Sequence, residues 1–210
     1  MRNGAQLPEH HADRLAQIVD QAWLILKSHF VQGRHPILLE APFQHHFAHI
    51  LDGYGHLCCT KRDDLFLVDL EFKQSDSTGG REYLDIACSF PDLARCAIEL
   101  KFKTKKQGAQ DHGRIDAFCD IAALERACQN GFDLGRFYMI TNSSVYVNHS
   151  RRGVGTVFSM HHGHQTAAGS SFHCPKSVGR QDVKVTLKHS YKFEWERINE
   201  WYFLALNVVP

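Results

Sequence analysis

Glu99 and Lys101 stand two residues apart in the segment CAIELKFK, residues 96–103. Ile98, Leu100 and Phe102 alternate with Glu99, Lys101 and Lys103, the pattern of a half-buried β-strand. An acid and an ammonium on one strand face can be no more than a solvated surface. They can also be reactive: a carboxylate that holds a cation, and a positive group that steadies negative charge as it develops. That chemistry needs a second acid nearby, so the neighbours of this strand decide between the two readings.

The run EYLDIACSF, residues 82–90, comes just before it, with Pro91-Asp92 between. A β-hairpin turning near Asp92 places Asp85 opposite Glu99. Directly opposed residues lie about 4.5–5.5 Å apart and share a sheet face. Lys101, two residues beyond Glu99, points the same way. Opposed carboxylates repel unless a cation or proton sits between them. Asp85 is also the only charged residue between Tyr83 and Phe90, and an acid in so apolar a strand is costly. Oxygen donors of this kind suit Mg²⁺, with Mn²⁺ as a substitute, because such ions keep part of their water shell. Lys101 would then orient an attacking water or help deprotonate it. The conspicuous Pro91-Asp92 is a turn and no part of this site: Asp92 is seven residues from Glu99, about 20 Å along a strand.

The surrounding pattern predicts the elements that hold these residues. Leu15, Ile18, Val19, Ala22, Ile25, Leu26 and Phe30 recur at helical spacing from about Ala12 to Phe30. A second, shorter helix is expected after Pro42, stopped by Gly53. DLFLVDLEF (64–72) is a strand, and QSDSTGG (74–80) is a break before the hairpin. After the basic loop KTKKQGAQDHG, a helix is expected from about Arg114 to Asn130, with Gly131 as its left-handed cap. RFYMIT (136–141) is a strand. Strand, helix and strand then make a βαβ unit with parallel strands. SVYVN and GVGTVFSM are candidate strands, residues 160–181 a long loop, and DVKVTLKHS, YKFEWE and WYFLALNVV closing strands.

With Asp85 on one strand and Glu99-Leu100-Lys101 on the next, the chain resembles the PD-(D/E)xK phosphodiesterases, which share the restriction-endonuclease-like fold. The resemblance spans about residues 36–142, with AIELKFKT, GRIDAFCDIAALE and FYMITN in the expected order. It implies an α/β fold with a mixed β-sheet flanked by helices, and the lack of an internal repeat or a linker in the sequence makes one domain over residues 1–210, with additional C-terminal strands, the simplest reading. The resemblance also implies that Asp85, Glu99 and the backbone carbonyl of Leu100 hold the divalent metal while Lys101 assists the attacking water. The reaction implied is hydrolysis of DNA phosphodiester bonds, with DNA as partner and a homodimer as the form in which such enzymes often work. A third acid often comes from the first core helix. Glu40 is the nearest match, and Glu71 on the preceding strand is a rival. Gln110, Asp116 and Asp120 follow the motif and either orient the site or are solvated. The alternative function is an inactive nuclease-fold module that binds nucleic acid or a protein partner.

Composition narrows the classes. In 210 residues with a formal net charge of +1, a globally basic nucleic-acid coat is excluded. Local basic clusters remain: Lys103, Lys105 and Lys106 beside the proposed centre, and a second stretch of Lys176, Arg180, Lys184, Lys188 and Lys192. Phe193 and Trp195 near the latter are expected in the core. No apolar run approaches the length of a membrane span. Seven cysteines without a C-x-x-C pair suit a reducing, cytoplasmic setting. His161, His162, His164, His173 and Cys174 lack the spacing of a structural zinc site.

Overall fold

The computed structural model describes residues 7–75, 81–175, 180 and 182–210. Two helices open it, α1 (His11–Val31) and α2 (Glu40–Leu57). Three strands follow, β1 (Leu67–Ser75), β2 (Arg81–Phe90) and β3 (Ala94–Lys103). Next come α3 (Gln110–Gln129) and β4 (Leu134–Thr141). The C-terminal part holds two one-turn helices, α4 (Ser144–Val147) and α5 (Val154–Val157), and strands β5 (Ser170–His173), β6 (Lys184–Leu187), β7 (Glu196–Ile198) and β8 (Trp201–Val208). The protein is mixed α/β. Its six-stranded sheet runs β1-β2-β3-β4-β8-β7, parallel only between β3 and β4, and β5 and β6 form a separate pair.

Each face of the sheet is covered by its own apolar layer. The helical stripe Leu15, Ile18, Val19, Ala22 and Leu26 of α1, with Phe43 and Phe47 of α2, packs on Ile86, Ile98, Leu100 and Tyr138. Trp23 stacks on Tyr138 with ring centroids 4.4 Å apart. On the other face, Ile115, Phe118, Ile121 and Leu124 of α3 cover Ala97, Phe137, Met139 and Leu204. A C-terminal layer then covers α3. Glu125 anchors that layer by accepting the amides of Lys188 (2.8 Å) and His189 (2.9 Å) and the hydroxyl of Tyr191 (2.8 Å). Phe193 and Trp195 are core residues, as expected. Among the described residues no helix is long and apolar enough to cross a membrane.

Several boundaries differ from the sequence pattern, each for a physical reason. α2 starts at Glu40, before Pro42, because proline in a first turn lacks only an amide that has no helical partner there. The same helix runs through Gly53, where a side chain would meet nothing, and ends four residues later. α3 begins a turn early, at Gln110 rather than Arg114. SVYV and VGTV are helical turns, not strands. The buried Arg114 guanidinium draws both turns in by donating to the carbonyls of Val145 and Phe158 and to Ser150 Oγ. YKFEWE contributes little strand beyond an isolated bridge at Lys192. Most of the QSDSTGG break, and Lys176 of the second basic stretch, lie outside the described residues.

Candidate active site

The hairpin has the expected register. Ile86 pairs with Ile98, Cys88 with Cys96 and Phe90 with Ala94 across a turn at residues 91–93, where the amide of Leu93 donates to Phe90 O (3.0 Å). Pairing of β2 with β3 then stops at Ile86, so Asp85 is not a ladder partner of Glu99. Instead the Asp85 side chain crosses the gap, and its Oδ2 accepts the backbone amide of Leu100 (2.7 Å). A carboxylate thus replaces a main-chain carbonyl at the point where the two strands part.

A change in the pleat explains the parting. Ile86 and Cys88 face the α1–α2 layer, while Leu84 lies with Ala87 in the α3 layer, so strict alternation is broken at Asp85. The adjoining β1 breaks at the same level. Val68 packs toward α1–α2 but Phe72 toward α3, and Glu71 between them has φ +50°, outside the extended region. Both strands reverse phase together, as paired bulges would. The result is a fork between β2 and β3 with a cleft of about 200 Å³ lined by Glu40, Gln44, Glu71, Asp85 and Leu100. Gln44 Nε2 ties the fork to α2 by donating to Asp85 O (2.6 Å) and to Glu71 Oε1 (3.0 Å).

Lys101 is the centre of charge. Its Nζ lies 2.6 Å from Asp120 Oδ2, 3.0 Å from Glu40 Oε1 and 3.3 Å from the carbonyl of Leu100. Lys103 Nζ reaches the other oxygen of Glu40 at 3.4 Å. Glu40 sits in the first turn of α2 and Asp120 in the middle of α3, so helices from both faces of the sheet converge on one lysine. Glu99 is only 5% exposed.

These groups perturb one another strongly. Burial, then the charges of Asp120 and Asp85, holds Glu99 well above the usual carboxylate range. Burial raises Asp85 too, against the pull of Lys101 and the Leu100 amide. Asp120 is pushed up to about 7 by burial, although Lys101 opposes the shift. Burial alone would lower Lys101, but Asp120 and Glu40 outweigh it and raise it. Lys101 is therefore a fixed ammonium, and the acids around it outnumber the available cations. Asp85, Glu99, Lys101 and Asp120 thus form one electrostatically coupled cluster, and Asp85 carries it to the wall of the cleft.

The structure brings Asp85, Glu99, Lys101, Glu40 and Glu71 to one fork, so both rivals for the third acid are present. It does not bring Gln110, which opens α3 ten residues before Asp120, about 15 Å along the helix. Lys105 and Lys106 form an exposed 3₁₀ turn beyond the strand, tied down where Asn142 Oδ1 accepts the Lys105 amide (2.8 Å). Of the acids left open in the sequence, Asp116 is bound by Arg180 and Asp120 belongs to the site. The signal for Asp120 was its place on the buried face of α3, four residues on from Asp116.

Among the described residues, no group of three or more His, Cys, Asp and Glu is arranged to hold a metal ion. Asp85, Glu99 and the Leu100 carbonyl are hard oxygen donors, with only two carboxylates among them. Mg²⁺ commonly takes such a set, completing its shell with water. The unbalanced acids of the fork favour a cation there. His161 and His164 contact each other through their rings, and His162 Nδ1 accepts the Trp195 amide (3.1 Å), which makes that loop a packed element. Compared with known protein families, with characterised proteins and with solved structures, the chain matches none of them.

Proposed function

We propose that this chain is a divalent-metal-dependent nuclease of the PD-(D/E)xK type on a restriction-endonuclease-like core, hydrolysing phosphodiester bonds in DNA. The observation that carries the reading is the fork itself. Asp85 leaves the β-ladder to cap the Leu100 amide, and its carboxyl, that of Glu99 and the Lys101 ammonium act on one another at close range. Bound there by Asp85, Glu99 and the Leu100 carbonyl, Mg²⁺ or Mn²⁺ would polarise the phosphate and lower the pKa of a coordinated water.

The chain's own residues do the rest. Asp120 and Glu40 fix the Lys101 ammonium in place and keep it charged. Its role is to orient the attacking water and offset negative charge on the phosphate oxygens, not to take a proton. Glu40, half-exposed at the cleft mouth 3.0 Å from Lys101, is the carboxylate placed to accept the water's proton. Gln44 holds the open fork by bridging Glu71 to the Asp85 carbonyl.

A second reading draws on one observation: the Leu100 carbonyl already receives Lys101, as it would in a fork that binds nucleic acid without cutting it. Plasmid cleavage with and without Mg²⁺ separates the two. In the nuclease, Asp85→Ala and Lys101→Ala each lower the rate at least about 100-fold with unchanged circular dichroism. Metal-independent DNA binding with no cleavage in the wild type would leave only the second reading.

A further inference from the structure

Five of the fifteen histidines gather where α1 hands over to α2. His29 lies in the last turn of α1, His35 in the linker, and His45, His46 and His49 in α2. The His35 ring stacks on that of His46, with centroids 4.2 Å apart and planes 17° from parallel. It also meets the ring of His29 edge-on at 4.9 Å, and His45 adjoins His46 at 5.2 Å. His29 Nδ1 is buried with no hydrogen-bond partner among the described residues. His35 thus bridges the end of one helix to the second turn of the next.

The charged groups that act on this stack are basic on all three elements: His29 from α1, Arg34 from the linker, and His45 and His49 from α2. Burial first, and then these neighbours, lowers His35 and His46 below the usual imidazole value. Neutral rings stack, whereas two imidazolium ions about 4 Å apart repel even in water. The segment held by the stack has few other ties. Between His35 and α2 only Ile37 is buried; Leu38 and Leu39 are exposed, and α2 begins without a side-chain cap. Its first turn carries Glu40, bonded to Lys101 (3.0 Å) and Lys103 (3.4 Å), and the next carries Gln44, which ties the fork.

We propose that the His35–His46 stack is a proton-operated latch on the linker and first turn of α2, which seats Glu40 on Lys101 when neutral and releases it when charged. The proposal rests on the nuclease reading for its consequence, a loss of cleavage as pH falls below about 6. Folding lowers both imidazoles, so the latch contributes fully above about pH 6.5, the unfolded value, and its contribution is lost as pH falls.

The acids of the fork titrate as well, so the test is a difference between proteins in which those acids are the same. His35→Phe and His46→Phe each keep a ring in the stack and remove its charge. Hydrogen exchange of residues 35–44 is followed on the full chain in EDTA at pH 7.5 and 5.5, corrected for the intrinsic effect of pH. The wild type should speed up at pH 5.5, and each variant about fivefold less. NMR titration of the wild-type imidazoles needs no variant to fold: His35 and His46 should titrate below about 6.5, and each should rise where the other is Phe. Wild-type acceleration in both folded variants would overturn the proposal, as would titration of each ring unmoved by loss of the other's charge. Plasmid cleavage in Mg²⁺ on the same proteins keeps the two readings apart. Variants that retain more of their pH 7.5 rate at pH 5.5 than the wild type support the latch; identical profiles in all three overturn its control of the fork. The exchange difference with no cleavage by any protein removes the nuclease reading and keeps the latch.

Discussion

Asp64 and Asp120 are both largely buried acids paired with a buried cation, yet their surroundings drive them in opposite directions. Asp64, in the loop before β1, accepts Arg14 Nη1 (2.9 Å), His11 Nε2 (3.1 Å) and the amides of Thr60 (2.8 Å) and Lys61 (3.0 Å). Burial would raise it, but those amides, His11 and Arg14 together hold it well below the usual carboxylate range. Asp120 has one cation, Lys101, which it shares with Glu40, and it faces Asp85 and Glu99 as well. A buried acid is therefore no mark of a site by itself. Glu125, on the same helix as Asp120, is as buried as any and is satisfied by two amides and a hydroxyl. What sets the fork apart is unmet demand: carboxylates arranged to repel one another until a proton or a cation arrives.

The largest expected effect falls on the satisfied acid. Asp64→Ala leaves Arg14 buried without its partner and should cost about 3 kcal/mol or more. Asp120→Asn relieves repulsion while it loses attraction, and at about pH 5.5, midway through its titration, should change stability by less than about 1 kcal/mol while slowing the proposed cleavage. Urea unfolding of the two variants measures the difference. Equal losses would erase the distinction between a structural acid and a strained one.

pH separates the same two residues. Asp120, at about 7 in the fold against about 3.9 unfolded, binds its proton more tightly when folded. Its contribution is fully present below about pH 4 and is lost as pH rises toward 7. Asp64 is lowered by folding, so its contribution is present above about pH 4 and lost as pH falls. Without metal, Asp120→Asn should lose less stability than wild type between pH 4 and 7, by on the order of 2 kcal/mol. His35 and His46, both lowered by burial and by neighbouring imidazoles, titrate in both proteins and cancel in that difference. A flat difference would mean that Asp120 is not strained. The corresponding effect of metal is smaller: millimolar Mg²⁺ should raise Tm by a few degrees at pH 8 and by less at pH 5, where protons already occupy the fork. Thermal melts in Mg²⁺ and in EDTA read it directly.

The hairpin and its register were legible in the sequence because alternation and a short turn determine them. That was enough to bring Asp85, Glu99 and Lys101 together. The fork was not legible, since it depends on a phase change at Asp85 that follows from Glu71 leaving the extended region in the next strand. Nothing in the residue types around Glu71 announces this, for positive φ is usually signalled by Gly or Asn. The helical turns at 144–147 and 154–157 were hidden for a different reason. Their valines favour strands, and only the buried Arg114, some thirty to forty residues earlier in the chain, makes the helical carbonyls worth presenting. Glu40 was expected just outside its helix and lies inside it, which is what lets it reach Lys101.

The smallest effect concerns Pro91-Asp92, the dipeptide that most resembles a nuclease motif and lies outside the site. Asp92 has φ +61°, in the left-handed region where glycine is at no disadvantage. Asp92→Gly removes that strain but makes the unfolded chain more flexible, so the two contributions nearly cancel and stability should stay within about 0.5 kcal/mol. Cleavage should be unaltered, because the fork begins at Ile86 and the turn lies at the far end of the paired region. Asp85→Gly, by contrast, removes the acceptor of the Leu100 amide and, on the proposed nuclease reading, should abolish cleavage. If Asp92→Gly alone abolished the proposed cleavage with the hairpin intact, the proposed metal would belong at the turn, and the unmet charge around Lys101 would need another explanation.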